Sequence, residues 1–302
     1  MTEADAPLVA AIDVGTNTIR VVLGRVVDGR VARVWSESAM TRLGAGTDAD
    51  GRIARAKVDE VAGVVARFAE GARERGATRV LATGTAAARD APNRDELGAA
   101  IEAASGVPLR LISGDTEARL TFLGATTAAG MRAGEAAAVA DIGGGSTEIV
   151  TGEVGGELGF ARSFPIGSGR LHRQLEADDP PGLEGLVRAR EAAEAAFPDG
   201  LPQAPAVVVV GGTMTALGRM LGTDVLDGDA LARATEELAG TPSEELARRH
   251  ELDPERARIL PAGLVLVQTV ADRLGATPHV GSGGIREGVI IALDHGDDET
   301  RW

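Results

Sequence analysis

Two short stretches of the chain set a carboxylate, small residues and hydroxyls in the same order. Asp13-Val-Gly-Thr-Asn-Thr-Ile-Arg20 and Asp141-Ile-Gly-Gly-Gly-Ser-Thr-Glu148 superpose without a gap at an offset of 128 residues. Asp13 meets Asp141, Gly15 meets Gly143, Thr18 meets Ser146, and beyond them Gly24 meets Gly152. Turns of this kind handle phosphate: glycines let successive N–H groups converge on an anion, and Ser or Thr adds hydroxyl donors. The carboxylate itself repels phosphate, so its useful work is to hold a hydrated cation that bridges phosphates. Gly143, Gly144, Gly145, Ser146 and Thr147 form the stronger candidate, and Thr16, Asn17 and Thr18 with Arg20 form its companion. A ligand-free tight turn has the same composition. Two copies in register favour a paired phosphate clamp, since duplicated sites commonly face each other across a domain cleft. Other phosphate motifs are missing: no Gly-Lys-Ser/Thr of a P-loop and no strand-borne GxGxxG occurs.

The elements that must position these turns follow from the same repeat. Each copy continues an apolar run (LVAAI, AAAVA) and leads into another, with Asp28-Gly29 and Gly155-Gly156 as hairpin signals. Each half therefore opens with a three-stranded antiparallel meander. Behind the first, apolar spacing predicts a helix over 52–76, a strand TRVLATG, a helix near 93–105, a strand PLRLI and a helix from Ser113. Behind the second, PAVVVVGG reads as a strand buried on both faces. Helices are expected near 182–197, 213–222, 229–240 and 254–275, a turn at 178–182, and a frayed tail over 296–302. The fold class is α/β, with two related domains built on mixed sheets.

Composition narrows the chemistry. The 302 residues contain no cysteine, which removes disulfides, Cys-ligated zinc and thiol catalysis. Four scattered histidines and no HExxH argue against a histidine-built metal site. The N-terminal residues lack a basic, then apolar, leader pattern, and no apolar run approaches the roughly 18 residues of a membrane span, so a cytoplasmic protein without membrane contact is expected. Net charge is −14, which argues against nucleic acid as a partner. Lys57 is the only lysine.

Taken with further motifs, the two turns resemble the phosphate-1 and phosphate-2 loops of the actin, Hsp70 and sugar-kinase superfamily. Within it the sequence resembles the exopolyphosphatase and guanosine pentaphosphate phosphohydrolase (Ppx/GppA) family, over nearly the whole chain. The motifs are Thr85-Ala-Ala-Ala-Arg-Asp-Ala-Pro-Asn93, Ile112-Ser-Gly-Asp-Thr-Glu-Ala-Arg-Leu120, Ser163-Phe-Pro-Ile-Gly167 with Arg170-Leu171, Val210-Gly-Gly-Thr213 and Ser282-Gly-Gly-Ile-Arg-Glu-Gly288. The resemblance implies two actin-like, ribonuclease H-like domains with mixed five-stranded sheets and an interdomain cleft. The first would span 1–128 and the second 129–302, with the last helix packing back on the first.

The same resemblance distributes roles. Ser113 stands at a helix N-cap, with Asp115 and Glu117 in the first turn. Glu117 is by itself an ordinary dipole-compensating glutamate, but family members place their catalytic glutamate at the matching position. Such a carboxylate polarises a water for attack on a terminal phosphorus. Arg89, expected between a strand and a helix, is either a surface partner of Asp90 or Asp95 or a phosphate clamp. Glu148 joins Asp13 and Asp141 as the candidate set for hydrated Mg²⁺, with Mn²⁺ as a substitute. Gly211, Gly212 and Thr213 open a helix whose N–H groups suit an anion or a nucleotide.

The expected activity is that of an exopolyphosphatase, a phosphoric anhydride hydrolase releasing orthophosphate from the end of inorganic polyphosphate. The alternatives are 5′-phosphohydrolysis of guanosine pentaphosphate, which belongs to the stringent response, and a non-catalytic sensor of polyphosphate or alarmone. A kinase is disfavoured, since neither a substrate-binding insertion nor an aspartate base is found in the first half. The chain matches a short family form without C-terminal helical domains, and a homodimer is expected.

Overall fold

Val9–Val14 (β1) is buried at every position, as befits a strand paired on both edges and covered on both faces. The structure, a computed structural model, describes residues 6–48, 50–175 and 178–298. Its contacts divide into two compact units, one holding the chain up to Ala128 and again from Gly283, the other Ala129–Ser282.

In the first unit β1 pairs antiparallel with Thr18–Val27 (β2), which pairs antiparallel with Arg30–Met40 (β3). The expected turn joins them: Asp28 and Gly29 both take positive φ, 49° and 74°, the conformation of a two-residue type I′ hairpin. A twenty-residue helix, Arg55–Glu74 (α1), leads to Arg79–Gly84 (β4), parallel to β1. Then come the short helix Ala86–Asp90 (α2), Arg94–Ser105 (α3), Leu109–Leu111 (β5) and Gly114–Ala128 (α4). The sheet order is β3-β2-β1-β4-β5. Arg89 lies between a strand and a helix, β4 and α3, as expected, and there it forms part of the short helix α2, which three alanines after Thr85 favour over an open loop.

The second unit repeats the plan. Ala136–Ile142 (β6), Thr147–Glu153 (β7) and Leu158–Phe164 (β8) form the antiparallel meander. Ser168–Leu175 (α5) and Gly182–Ala196 (α6) precede Ala206–Val210 (β9), which is parallel to β6. Gly212–Leu221 (α7), Gly228–Gly240 (α8), Ser243–Arg249 (α9) and Pro254–Leu274 (α10) follow, then Thr277–Val280 (β10) in the order β10-β9-β6-β7-β8. Asp253 caps α10 by accepting from the Glu255 and Arg256 amides, with Pro254 in the first turn. Ala138, Ala140, Ile142, Ile149, Val207 and Val209 share one sheet face, packed with α10 residues into a single core.

Ile285–Asp294 (α11) belongs to the first unit. It packs on α4 and with β1 and β2 encloses Val9, Ala11, Leu120, Val289 and Ile290. The crossing is tight enough to demand glycine: a Cβ on Gly288 would lie 1.8 Å from the Leu120 carbonyl oxygen, and one on Gly124 2.0 Å from that of Gly284. Residues 296–298 of the expected frayed tail are described. Asp297 pairs with Arg119 at 3.0 Å, and residues 299–302 lie outside the described ones.

Candidate active site

Three parallel strands of the first sheet, β1, β4 and β5, point the same way, and the predicted residues sit past their carboxyl ends. The Gly15–Asn17 turn follows β1, Arg89 follows β4 and Glu117 follows β5. That is where open α/β sheets bind ligands. The Thr85 amide donates to the Val14 carbonyl (3.4 Å) and the Ile112 amide to that of Gly84 (3.2 Å), so the three strand ends are stitched together.

Glu117 is buried in the first turn of α4, and the Ser113 hydroxyl caps that helix by accepting from the Thr116 amide at 3.1 Å. Arg89 reaches it. One guanidinium nitrogen lies 3.1 Å from Glu117 Oε2 and donates also to the Ile112 carbonyl at 3.1 Å, while Nε approaches Asp90 at 3.4 Å. Of the two alternatives for Arg89, the contact with Asp90 is present, while its shorter carboxylate contact is with Glu117.

Asp13 is buried and stands opposite Arg20 across the β1–β2 ladder. Its Oδ1 and the Thr18 hydroxyl are fully buried without a hydrogen-bond partner. Burial pushes the Asp13 carboxyl above its ordinary range, Arg20 and Arg286 pull it down, and Glu287 pushes it up. Arg286 and Glu287 belong to the Ser282–Gly288 motif, whose sequence alone points to no role for them. Glu287 is 2% exposed and its Oε1 lies 2.7 Å from Arg33, a contact whose angle falls short of a hydrogen bond. The available signal was an acid set among glycines and aliphatics in 283–293.

In the second unit the Gly143–Ser146 turn closes on itself, Gly143 amide to Ser146 carbonyl, 3.0 Å. The start of α5 holds it from outside: the Ser168 and Arg170 amides donate to the Gly143 and Gly144 carbonyls, each at 2.9 Å. Gly167 allows this approach, because a Cβ there would meet the Gly143 oxygen at 2.6 Å. Two predicted ligand hydroxyls are corrected. Thr147 is fully buried and donates to the Ile166 carbonyl at 2.7 Å, since strand alternation turns it toward the helical core and its neighbour Glu148 to the other face. Thr213 is also fully buried, packed against Gly263 of α10. Gly211 and Gly212 remain partly exposed at the start of α7, after parallel strand β9.

The metal set is corrected too. Among the described residues no group of three or more acidic or histidine side chains is gathered to hold an ion. Asp141 and Glu148 stand directly opposite each other in the β6–β7 ladder, a like-charge placement that a cation relieves. Ser163 donates to Glu148 Oε1 at 2.6 Å. Two carboxylates completed by water suit Mg²⁺, which keeps several waters when bound. No helix among the described residues is long and apolar enough to cross a membrane.

The chain is similar to several known proteins. The model of the Ppx/GppA phosphatase family matches residues 22–295. Exopolyphosphatase 1 of Mycobacterium tuberculosis is 36% identical over 184 residues, 60% of this chain and 52% of that protein, so the match spans about half of its length. Exopolyphosphatase 2 of the same organism is 32% identical over 294 residues, 88% of this chain and 90% of that protein. The structure of the Aquifex aeolicus Ppx/GppA enzyme superposes with a TM-score of 0.78 at 26% identity, covering 95% of this chain and 99% of that one.

Proposed function

The chain belongs to the Ppx/GppA phosphatase family, and from that premise we propose that it is an exopolyphosphatase, hydrolysing the terminal phosphoanhydride bond of inorganic polyphosphate. The observation that carries the reading is the Arg89–Glu117 pair, set with the first phosphate turn past parallel strand ends. Water attacks the terminal phosphorus, the bridging P–O bond breaks, and orthophosphate leaves with a chain one unit shorter. The Glu117 carboxylate orients that water and takes its proton, which is sufficient where the phosphoryl transition state is loose and positioning dominates. Arg89 turns a guanidinium toward the same point, where it meets the phosphate oxygens. In the first unit the backbone amides of the Gly15–Asn17 turn with Thr16, and in the second those of the Gly143–Ser146 turn with Ser146, each offer donors to non-bridging oxygens. Asp141 and Glu148 would hold Mg²⁺, or Mn²⁺ in its place, with water completing the shell. When bound, the ion neutralises phosphate charge. A homodimer, a cytoplasmic setting and a link to the stringent response are parts of the same proposal.

Phosphate release by the purified chain, with Mg²⁺ and after chelation, tests it against polyphosphates of several lengths and guanosine pentaphosphate. Glu117→Gln is expected to lower kcat by about 10²-fold or more, and undiminished release overturns the mechanism. Tight polyphosphate binding without release by the wild type makes the protein a sensor, and release from guanosine pentaphosphate alone makes it the nucleotide phosphohydrolase.

A further inference from the structure

Lysine occurs once in 302 residues, at Lys57, outside both phosphate turns. We propose that Lys57 is a positioning residue for the first phosphate turn, acting through the Thr41–Gly46 segment that braces Thr16 and Asn17. The proposal rests on the exopolyphosphatase reading for its kinetic consequence, though not for its geometry.

Lys57 lies in the first turn of α1, which contains no acidic residue. A cation there opposes the helix dipole, so the position is poor for the helix itself. Its ammonium is spent elsewhere. Nζ donates to the Thr41 carbonyl at 2.6 Å and to Glu60 at 2.6 Å. The side chain is 21% exposed, and its stem lies so close on Gly46 that a Cβ there would fall 2.7 Å from Lys57 Cγ.

The braced segment then holds the turn by its carbonyls. The Thr41 and Arg42 amides donate to the Asn17 oxygen at 3.0 and 2.9 Å, and the Gly44 amide to the Thr16 oxygen at 2.8 Å. In a planar trans peptide the C=O and the following N–H point in opposite directions. Drawing the Thr16 and Asn17 carbonyls toward the segment therefore aims the Asn17 and Thr18 N–H groups away from it, on the side an anion would occupy. Lys57 fixes the far end of that linkage without touching the substrate.

Because Lys57 is the sole lysine, amine chemistry reads it against only one other amine, the chain's own α-amine. Two measurements on the full chain test the proposal. The first compares wild type, Lys57→Met and Lys57→Arg in steady state with Mg²⁺ and tripolyphosphate. The Met variant is expected to raise KM about tenfold with kcat within about twofold, and the Arg variant to recover most of the loss. The second follows acetylation of wild-type Lys57 by mass spectrometry, which saturating tripolyphosphate is expected to slow several-fold while the α-amine reacts unchanged. An unaltered KM in a folded Lys57→Met chain, or equal labelling with and without tripolyphosphate, overturns the proposal. If wild type releases no phosphate, the exopolyphosphatase reading fails separately, and if the Met variant does not fold, labelling of the wild type decides.

Discussion

Arg89 stands on Glu117, and this double attachment separates it from a simple phosphate clamp. Replacing it by alanine removes the cation facing Glu117 and, in the proposed mechanism, a charge-assisted contact to phosphate as well. Arg89→Ala is therefore expected to weaken polyphosphate binding at least about tenfold and to lower kcat as well, read from steady-state kinetics together with a direct binding titration. A loss confined to KM would detach Arg89 from the base. Asp13 makes the opposite kind of case. Its buried, unpartnered oxygen is costly to the fold. Asp13→Asn is expected to raise stability at neutral pH by about 1 kcal/mol or more while activity falls, checked by thermal denaturation beside phosphate release. These residues were legible in the sequence because their types and spacing are tied to the turns. Thr147 and Thr213 were misread for a physical reason: a hydroxyl next to a glycine turn serves either side of a strand or helix, and only packing decides which. Lys57 was legible as a rarity but not as a contact, since its partner Thr41 is set by the path of an irregular segment.

At the scale of elements, the helix carrying Glu117 is fixed by its neighbour. α4 and α11 meet backbone to backbone at Gly124, Gly284 and Gly288, so the height of Glu117 above the sheet follows from that crossing. Gly288→Ala is expected to cost about 3 kcal/mol or more, since a Cβ 1.8 Å from a carbonyl must push the helices apart. Denaturant midpoints measure this, and a shift under about 1 kcal/mol would show that the crossing yields freely. The meanders and the long helices were readable from period and hairpin signals. Short helices were not: α5 and α9, of 8 and 7 residues, offer too few turns for a period to show. Nor does sequence order say that residues from 283 onward pack with β1 and β2, since that requires knowing which apolar face each sheet leaves uncovered.

The whole molecule carries a net charge of −14, yet its proposed substrate is a polyanion. Backbone amides and chosen arginines resolve this locally, but the long-range field still opposes approach. Raising salt from about 10 to about 100 mM at fixed Mg²⁺ is therefore expected to increase kcat/KM for long polyphosphate, whereas a fall would reveal a basic path along the surface. The two halves answer the charge problem differently at one matched ladder position. In the first, an aspartate faces an arginine, Asp13 to Arg20; in the second, an aspartate faces a glutamate, Asp141 to Glu148. The ladder pair carries opposite charges in the first copy and like charges in the second, a placement that a cation relieves. Glu148→Arg is therefore expected to make the melting temperature indifferent to Mg²⁺, against a wild type that an ion on the proposed Asp141–Glu148 site is expected to stabilise.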